Sequence, residues 1–363
     1  MKFFTSALPH ICISGLLICL IASCNSRSSV DQILVPTHTD FGDLFVLEDT
    51  IRFNYSVLFG NRWTMDVNSA GELLVLDPQS EGVYLFSPSG VFIQRMAITD
   101  CNPEAGFNFF AHASFLDDSH IAVFNNKGVI VFSRDGECVR AITDRDFATN
   151  TQGICSHRDT IFAMPGDVWD STAIRSYNPD LALMEDHFSL PLPEFPRRAS
   201  TMQTLQGAAM ACFDDDVWWV YSESFDANPR LSPAKLPRYM PDFFVERTQD
   251  FPEFELVDQS NFRRITEMIS EAEAQASSVR GIYALNNETR MIVYGGTESD
   301  LGTGAVIASH RDRFPAVSTW LSEGPKAVGN GRLFMAGEPE DDRTGEATNP
   351  PIIRYRFIPP TDG

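Results

Sequence analysis

Apolar residues recur along this chain in short runs of four or five, each closed by turn residues, and one stretch carries the pattern most cleanly. In Gly71–Arg95, Leu73–Leu76 is an apolar run ended by Asp77-Pro78, and Val83–Phe86 is a second. Ser87-Pro88-Ser89-Gly90 then turns the chain into Val91–Ile93. Runs of this length between Gly, Pro, Ser and Asp predict strands joined by tight turns. Shifted by 46 residues the pattern returns, with Gly128–Gly136 lying over Gly82–Gly90 and five of the nine positions identical. A turn glycine in both copies predicts a backbone with positive φ at Gly90 and Gly136. A unit that returns every 40–50 residues or so is the mark of a propeller or another repeat array.

Carried along the chain, the pattern yields six modules. The first runs from Trp63 to Ile98 and the second from Ala111 to Thr143. A third, Gln152–Leu190, repeats the second strand and turn as Ala173–Asp180, and a fourth begins near Gln206 with Val217–Tyr221 as its second run. The rhythm then breaks in Pro-rich Ser222–Pro252, followed by Ser260–Ala276, where Phe262, Ile265, Ile269, Ala272 and Ala276 have helical spacing. The fifth and sixth modules are Val279–Trp320 and Lys326–Pro359. The expectation is an all-β, six-bladed β-propeller over 62–359, with a helical insertion at 222–277 between blades four and five. One blade cannot bury both of its faces alone, whereas stacking blades around an axis does so. A pair of β-sandwiches is the competing architecture, but it does not account for the repeated turn register. Residues 24–61 read as a tether with a possible strand to close the ring.

Charge and the N-terminus narrow the setting. Forty-nine acidic against 28 basic residues give a formal charge of −21. Such a surface repels phosphate backbones and anionic head groups, so no nucleic-acid partner is expected. Met1-Lys2 and the apolar run Ile11–Ile21 form a signal segment too short to span a bilayer comfortably. Residues 1–23 would be removed, because Leu20-Ile21-Ala22-Ser23-Cys24 resembles a bacterial lipobox, whose cysteine carries the lipid. Lipidation at Cys24 would then be the membrane contact, and Asn25 after it favours the outer membrane, on its periplasmic or surface face. Four cysteines remain, Cys101, Cys138, Cys155 and Cys212, which can pair in three ways in an oxidising compartment. With no CxxC or zinc spacing, they are expected to be buried, free or partly paired.

With the lipobox, the modules Gly-x-Leu-x-Val-x-Asp…Val-x-x-Phe-Ser-x-x-Gly resemble the six-bladed β-propeller lipoproteins of Bacteroidota-type bacteria, related to NHL-repeat and TolB-like propellers. The resemblance covers essentially the whole mature chain. It implies an envelope protein and brings no catalytic residues to carry over.

No catalytic motif stands out. None of the seven histidines lies four residues from another, and HExxH and GxSxG are absent, so no catalytic, cofactor or metal residue is assigned. Trp169-Asp170 and Trp218-Trp219 fall where loops or strands would line a central pocket, and are candidate ligand contacts. A binding or scaffold module for a protein, peptide or glycan is the first expectation. A propeller hydrolase or lyase with a site at the channel is the alternative. Convergence of His112, His157, Asp66 or Glu298 at one channel mouth would favour the enzyme.

Overall fold

The structure, a computed structural model, describes residues 33–56, 58–60, 63–80, 82–101, 112–125, 128–142, 153–157, 160–164, 172–180, 182–189, 210–213, 216–220, 228–229, 238–245, 276–295, 302–310, 313–338 and 348–360. The repeated turn explains the local structure. Ser87 Oγ accepts the Val91 N–H at 3.1 Å, and Ser133 Oγ accepts the Glu137 N–H at 3.2 Å. Asn178 Oδ1 does the same for Ala182 N–H at 2.8 Å in a third copy. Gly90 and Gly136 take φ of 83° and 80°, the positive values expected of them. Strand register shifts at equivalent places in all three copies, between Leu85 and Phe86, Val131 and Phe132, and Ser176 and Tyr177. Such a bulge sharpens the twist that lets a blade wrap onto its neighbour.

These units build antiparallel sheets in chain order. Thr64–Val67, Leu73–Asp77, Gly82–Phe86 and Phe92–Met96 form the first blade; His112–Phe115, His120–Asn125, Gly128–Ser133 and Cys138–Ile142 form the second. The third uses Gly153–His157, Thr160–Met164, Thr172–Tyr177 and Leu183–Ser189. The penultimate blade runs through Ser278–Asn286, Thr289–Gly295, Thr303–Ser309 and Val317–Leu321, with Thr37–His38 added in parallel. The last joins Ala327–Gly329, Arg332–Ala336 and Ile352–Phe357 to Phe45–Ile51, so the two ends of the chain share one sheet.

The expectation of six complete blades with a helical insertion is corrected. Among the described residues complete blades number five, and the fourth module gives a three-stranded sheet, Met210–Cys212, Val217–Trp219 and Asn228–Pro229. Its third strand ends on Pro229, which has no N–H to donate to a ladder. This short sheet fills the remaining place, and the innermost strands touch in sequence from Thr64–Val67 round to Ala327–Gly329 and back. The helix expected over Ser260–Ala276 lies outside the described residues, apart from Ala276. What is described between 229 and 276 is strand and turn, and there Tyr239, Met240, Phe243 and Phe244 pack on the seam beside Trp218. Residues 1–32, with Cys24, also lie outside the described residues.

Packing follows the pleat. Leu74 and Leu76 face the second blade, against Ile121, Val123, Ile130 and Phe132. Leu73 and Val75 point the other way, onto Phe334, Ile352 and Ile51 of the last blade. Period-2 alternation in a strand buried on both faces thus serves two seams at once, at roughly 1.5–3 kcal/mol per large side chain. The four cysteines are all paired, contrary to the free or partly paired thiols expected. Cys101–Cys138 ties the short helix Ile98–Cys101 to the outer edge of the second blade, and Cys155–Cys212 joins the innermost strands of the third blade and the short sheet. Loops of 37 and 57 residues make each cross-link worth roughly 4 kcal/mol on the chain-entropy account.

Candidate functional site

Because every sheet begins at the axis, the starts of the innermost strands and the residues just before them ring one mouth of a central channel. The mouth opens into a cavity of about 360 Å³. Its polar wall is drawn from distant modules: Asp66 and His112 from the first and second blades, Arg280 and Tyr283 from the penultimate, and Glu323 and Lys326 from the loop before the last. Trp63, Met65, Phe124 and Val328 supply apolar surface.

Asp66 is held by both blades it touches. Its Oδ2 accepts Ser114 Oγ–H at 2.7 Å and Phe115 N–H at 2.9 Å, and its Oδ1 accepts Val67 N–H at 2.9 Å. It keeps only a strip of surface toward the cavity. Burial pushes its carboxyl above the usual carboxylate range, and the three hydrogen bonds hold that rise back. Burial also lowers the pKa of His112, so its imidazole is neutral at physiological pH. The Tyr283 phenol is pushed well above its ordinary value for the same reason.

Glu323 and Lys326 flank Gly324-Pro325 in the connecting loop. Burial raises the pKa of Glu323, opposed by the charge of Lys326 and by the Ala336 N–H. Burial lowers that of Lys326, opposed by Glu323. Lys326 Nζ sits 4.6 Å from the centroid of the Trp63 ring, a cation–π contact. Glu323 Oε1 is buried and accepts no hydrogen bond among the described residues.

Of the residues singled out from sequence, Asp66 and His112 do meet at this cavity, whereas His157 does not line it and Glu298 lies outside the described residues. Trp169 and Asp170 also lie outside them. Trp218 and Trp219 are buried and do not line the channel. They occupy the second strand of the short sheet, so successive rings point to opposite seams. Trp218 packs with Phe213, Val220 and Tyr294, with the Arg290 guanidinium 4.3 Å from its ring centroid. Trp219 packs with Phe162, Met164 and Ile174 of the third blade. Sequence reasoning passed over Trp63, Arg280, Glu323 and Lys326. Their shared signal is position, at or just before the first strand of a module, the one place in each repeat that must face the axis.

No family model and no curated protein matches the chain in sequence. Among solved structures, it is similar to a Bacteroides fragilis protein taken to be exported, with TM-score 0.57 and 10% identity over 90% of this chain and 100% of that one. A Bacteroides vulgatus member of the DUF4221 family is similar at TM-score 0.51 and 10% identity, over 87% of this chain and 98% of that one. At such identities the likeness is one of fold: the protein is an all-β propeller.

Proposed function

We propose that this protein is an exported, lipid-anchored binding propeller of the bacterial envelope, which takes a small ligand, or the end of a peptide or glycan, into its central channel. The observation that carries the reading is the channel wall. Lys326, Glu323 and His112 are held partly out of water around a cavity of ligand size, and Glu323 Oε1 has no hydrogen-bond donor among the described residues. Export is supported by the N-terminal signal segment, by two disulfides of a kind that persist in oxidising compartments, and by the likeness to the Bacteroides fragilis protein. The lipid at Cys24, the outer-membrane station and the kinship with lipoprotein propellers rest on the sequence motif, and Cys24→Ser should move the protein from membranes to the soluble fraction.

The channel reading is tested by filling the cavity. Ala113→Trp places an indole in the wall. Protein purified from its native envelope should release a bound small molecule or peptide on denaturation, detectable by mass spectrometry, and the variant should release none. Equal release from both would remove the channel from the binding reading. A second reading, a propeller enzyme, is favoured by one observation: a carboxyl with raised pKa and a neutral imidazole face the same cavity, as general acid–base chemistry requires. Turnover lost in both Asp66→Asn and His112→Gln, with folding intact, would favour it.

A further inference from the structure

The binding reading leaves the chemistry of the ligand open, and two atoms in the channel wall narrow it. Lys326 Nζ has three protons to donate, and the Trp63 face occupies one side of it; among the described residues no carboxylate lies within ion-pair distance. An ammonium half withdrawn from water in this way is short of an anionic acceptor. Three residues away, Glu323 Oε1 is buried and lacks a donor among the described residues. The two side chains feel each other's charge, yet neither completes the other's hydrogen bonds. Gly324-Pro325 between them restricts the loop that holds them at this separation.

A ligand that satisfies both atoms must bring an acceptor and a donor side by side. We propose that the channel mouth takes a small organic acid bearing a hydroxyl or amino group next to its carboxylate, with Lys326 Nζ on the carboxylate and Glu323 Oε1 accepting from the neighbouring donor. Arg280 adds a second positive charge along the same wall, and Met65, Phe124, Tyr283 and Val328 offer apolar surface to the rest of the molecule. The acidic exterior, with its formal charge of −21, disfavours polyanions and leaves a small monoanion or zwitterion as the occupant. The inference rests on the channel being a binding site and specifies what it binds.

The test compares three probes of one size on the full chain by calorimetric titration: mandelate, with carboxylate and hydroxyl; phenylacetate, without the hydroxyl; and 2-phenylethanol, without the carboxylate. Mandelate should bind at least tenfold more tightly than either. Lys326→Met should abolish its advantage over 2-phenylethanol, Lys326→Arg should restore most of it, and Glu323→Met, which removes the acceptor, should abolish its advantage over phenylacetate. Thermal midpoints near that of the wild type would establish that the variants fold. Equal binding of the three probes, no binding of mandelate, or an unchanged order in the variants would overturn the proposal. If the probe series is flat while Ala113→Trp still loses the native ligand, the channel binds but the acid-and-donor class is wrong. If Ala113→Trp loses nothing as well, the binding reading falls with it.

Discussion

The turns Ser87–Gly90 and Ser133–Gly136 are copies of one device, yet they meet different neighbours. In both, a serine hydroxyl accepts the N–H four residues on, and a glycine at φ near 80° donates to the serine carbonyl at 2.9 Å. In both, the turn is gripped by the blade before it. The first lies against the strand that closes the ring: Asn54 N–H donates to Gly90 O at 2.9 Å, and Arg354 Nη1 donates to Pro88 O at 3.3 Å. The second lies against the first blade, where Gln94 Nε2 donates to Arg134 O and the Arg134 guanidinium makes a two-point bond to Glu72. The repeat thus conserves backbone conformation and the direction of docking. It does not conserve what the turn docks on, a backbone N–H and a side chain in one case and side chains alone in the other.

The largest effect should separate the two glycines. A β-carbon on Gly90 would stand 2.4 Å from Arg52 O and 2.8 Å from Ile51 Cγ2, atoms fixed in the sheet that closes the ring. On Gly136 it would meet the Gln94 side-chain amide at 3.3 Å, and that side chain can move aside. The repeat alone predicts equal losses. The neighbours predict otherwise: Gly90→Val should cost about 3–5 kcal/mol, from backbone strain plus overpacking against fixed backbone, and Gly136→Val about 1–2 kcal/mol, from strain and a displaced, exposed Gln94 side chain. Urea unfolding of the two single variants reads both numbers, and equal losses would mean that docking contributes nothing.

Next in size is the bond that only the second turn has. The hydrogen bonds from Arg134, with help from Asn68 and against burial, hold the Glu72 carboxyl below the usual carboxylate range. A carboxyl with a depressed folded pKa contributes stability that is present above its unfolded pKa, about 4.3, and is lost as pH falls through the folded value. Glu72→Gln should therefore be less stable than the wild type at pH 7, by less than Gly136→Val, and the gap should close below about pH 4. Asp66, at the channel end of the same seam, has a raised pKa and works with the opposite sign: its contribution is lost as pH rises. Thermal midpoints of Glu72→Gln and wild type between pH 3 and 7 decide the point, and a gap that does not change with pH would refute the assignment.

What could be read from the sequence follows from how local each cause is. Turn chemistry and strand alternation act over four to ten residues, so Gly71–Arg95 and its copy 46 residues on declared the blades and the positive φ of both glycines. The fourth module was read as a full blade because an apolar pair such as Trp218-Trp219 looks like any central strand, whereas its described residues form a sheet of three strands. The cysteine pairs span 37 and 57 residues, and Glu72 and Arg134 stand 62 apart, with no local mark of either. The channel wall was the least legible part. Its side chains come from modules far apart in the sequence, and Trp63 and Lys326 meet only because the ring closes. Of the tryptophans singled out as candidate ligand contacts, Trp218 fills the seam on one side of the three-stranded sheet and Trp219 the seam on the other.

The smallest effect is expected at the third copy of the turn, and it tests whether docking weakens as the repeat degenerates. Here Asn178 replaces the serine, and the grip from the blade before is the Arg140 Nη1–Asp180 Oδ1 pair at 3.3 Å. Asp180 is 84% exposed and Arg140 is 45% exposed, so water competes with both partners and salt screens what remains. Unlike Asn54 on Gly90, this contact involves no backbone group that would be left without a partner. Arg140→Ala should thus cost less than about 0.5 kcal/mol, and the difference should vanish in 1 M salt, where the screening length is about 3 Å. Urea unfolding at low and high salt measures it. A loss above about 1 kcal/mol that survives high salt would mean that the third turn is docked as firmly as the first, and that the gradient from backbone grip to surface ion pair does not exist.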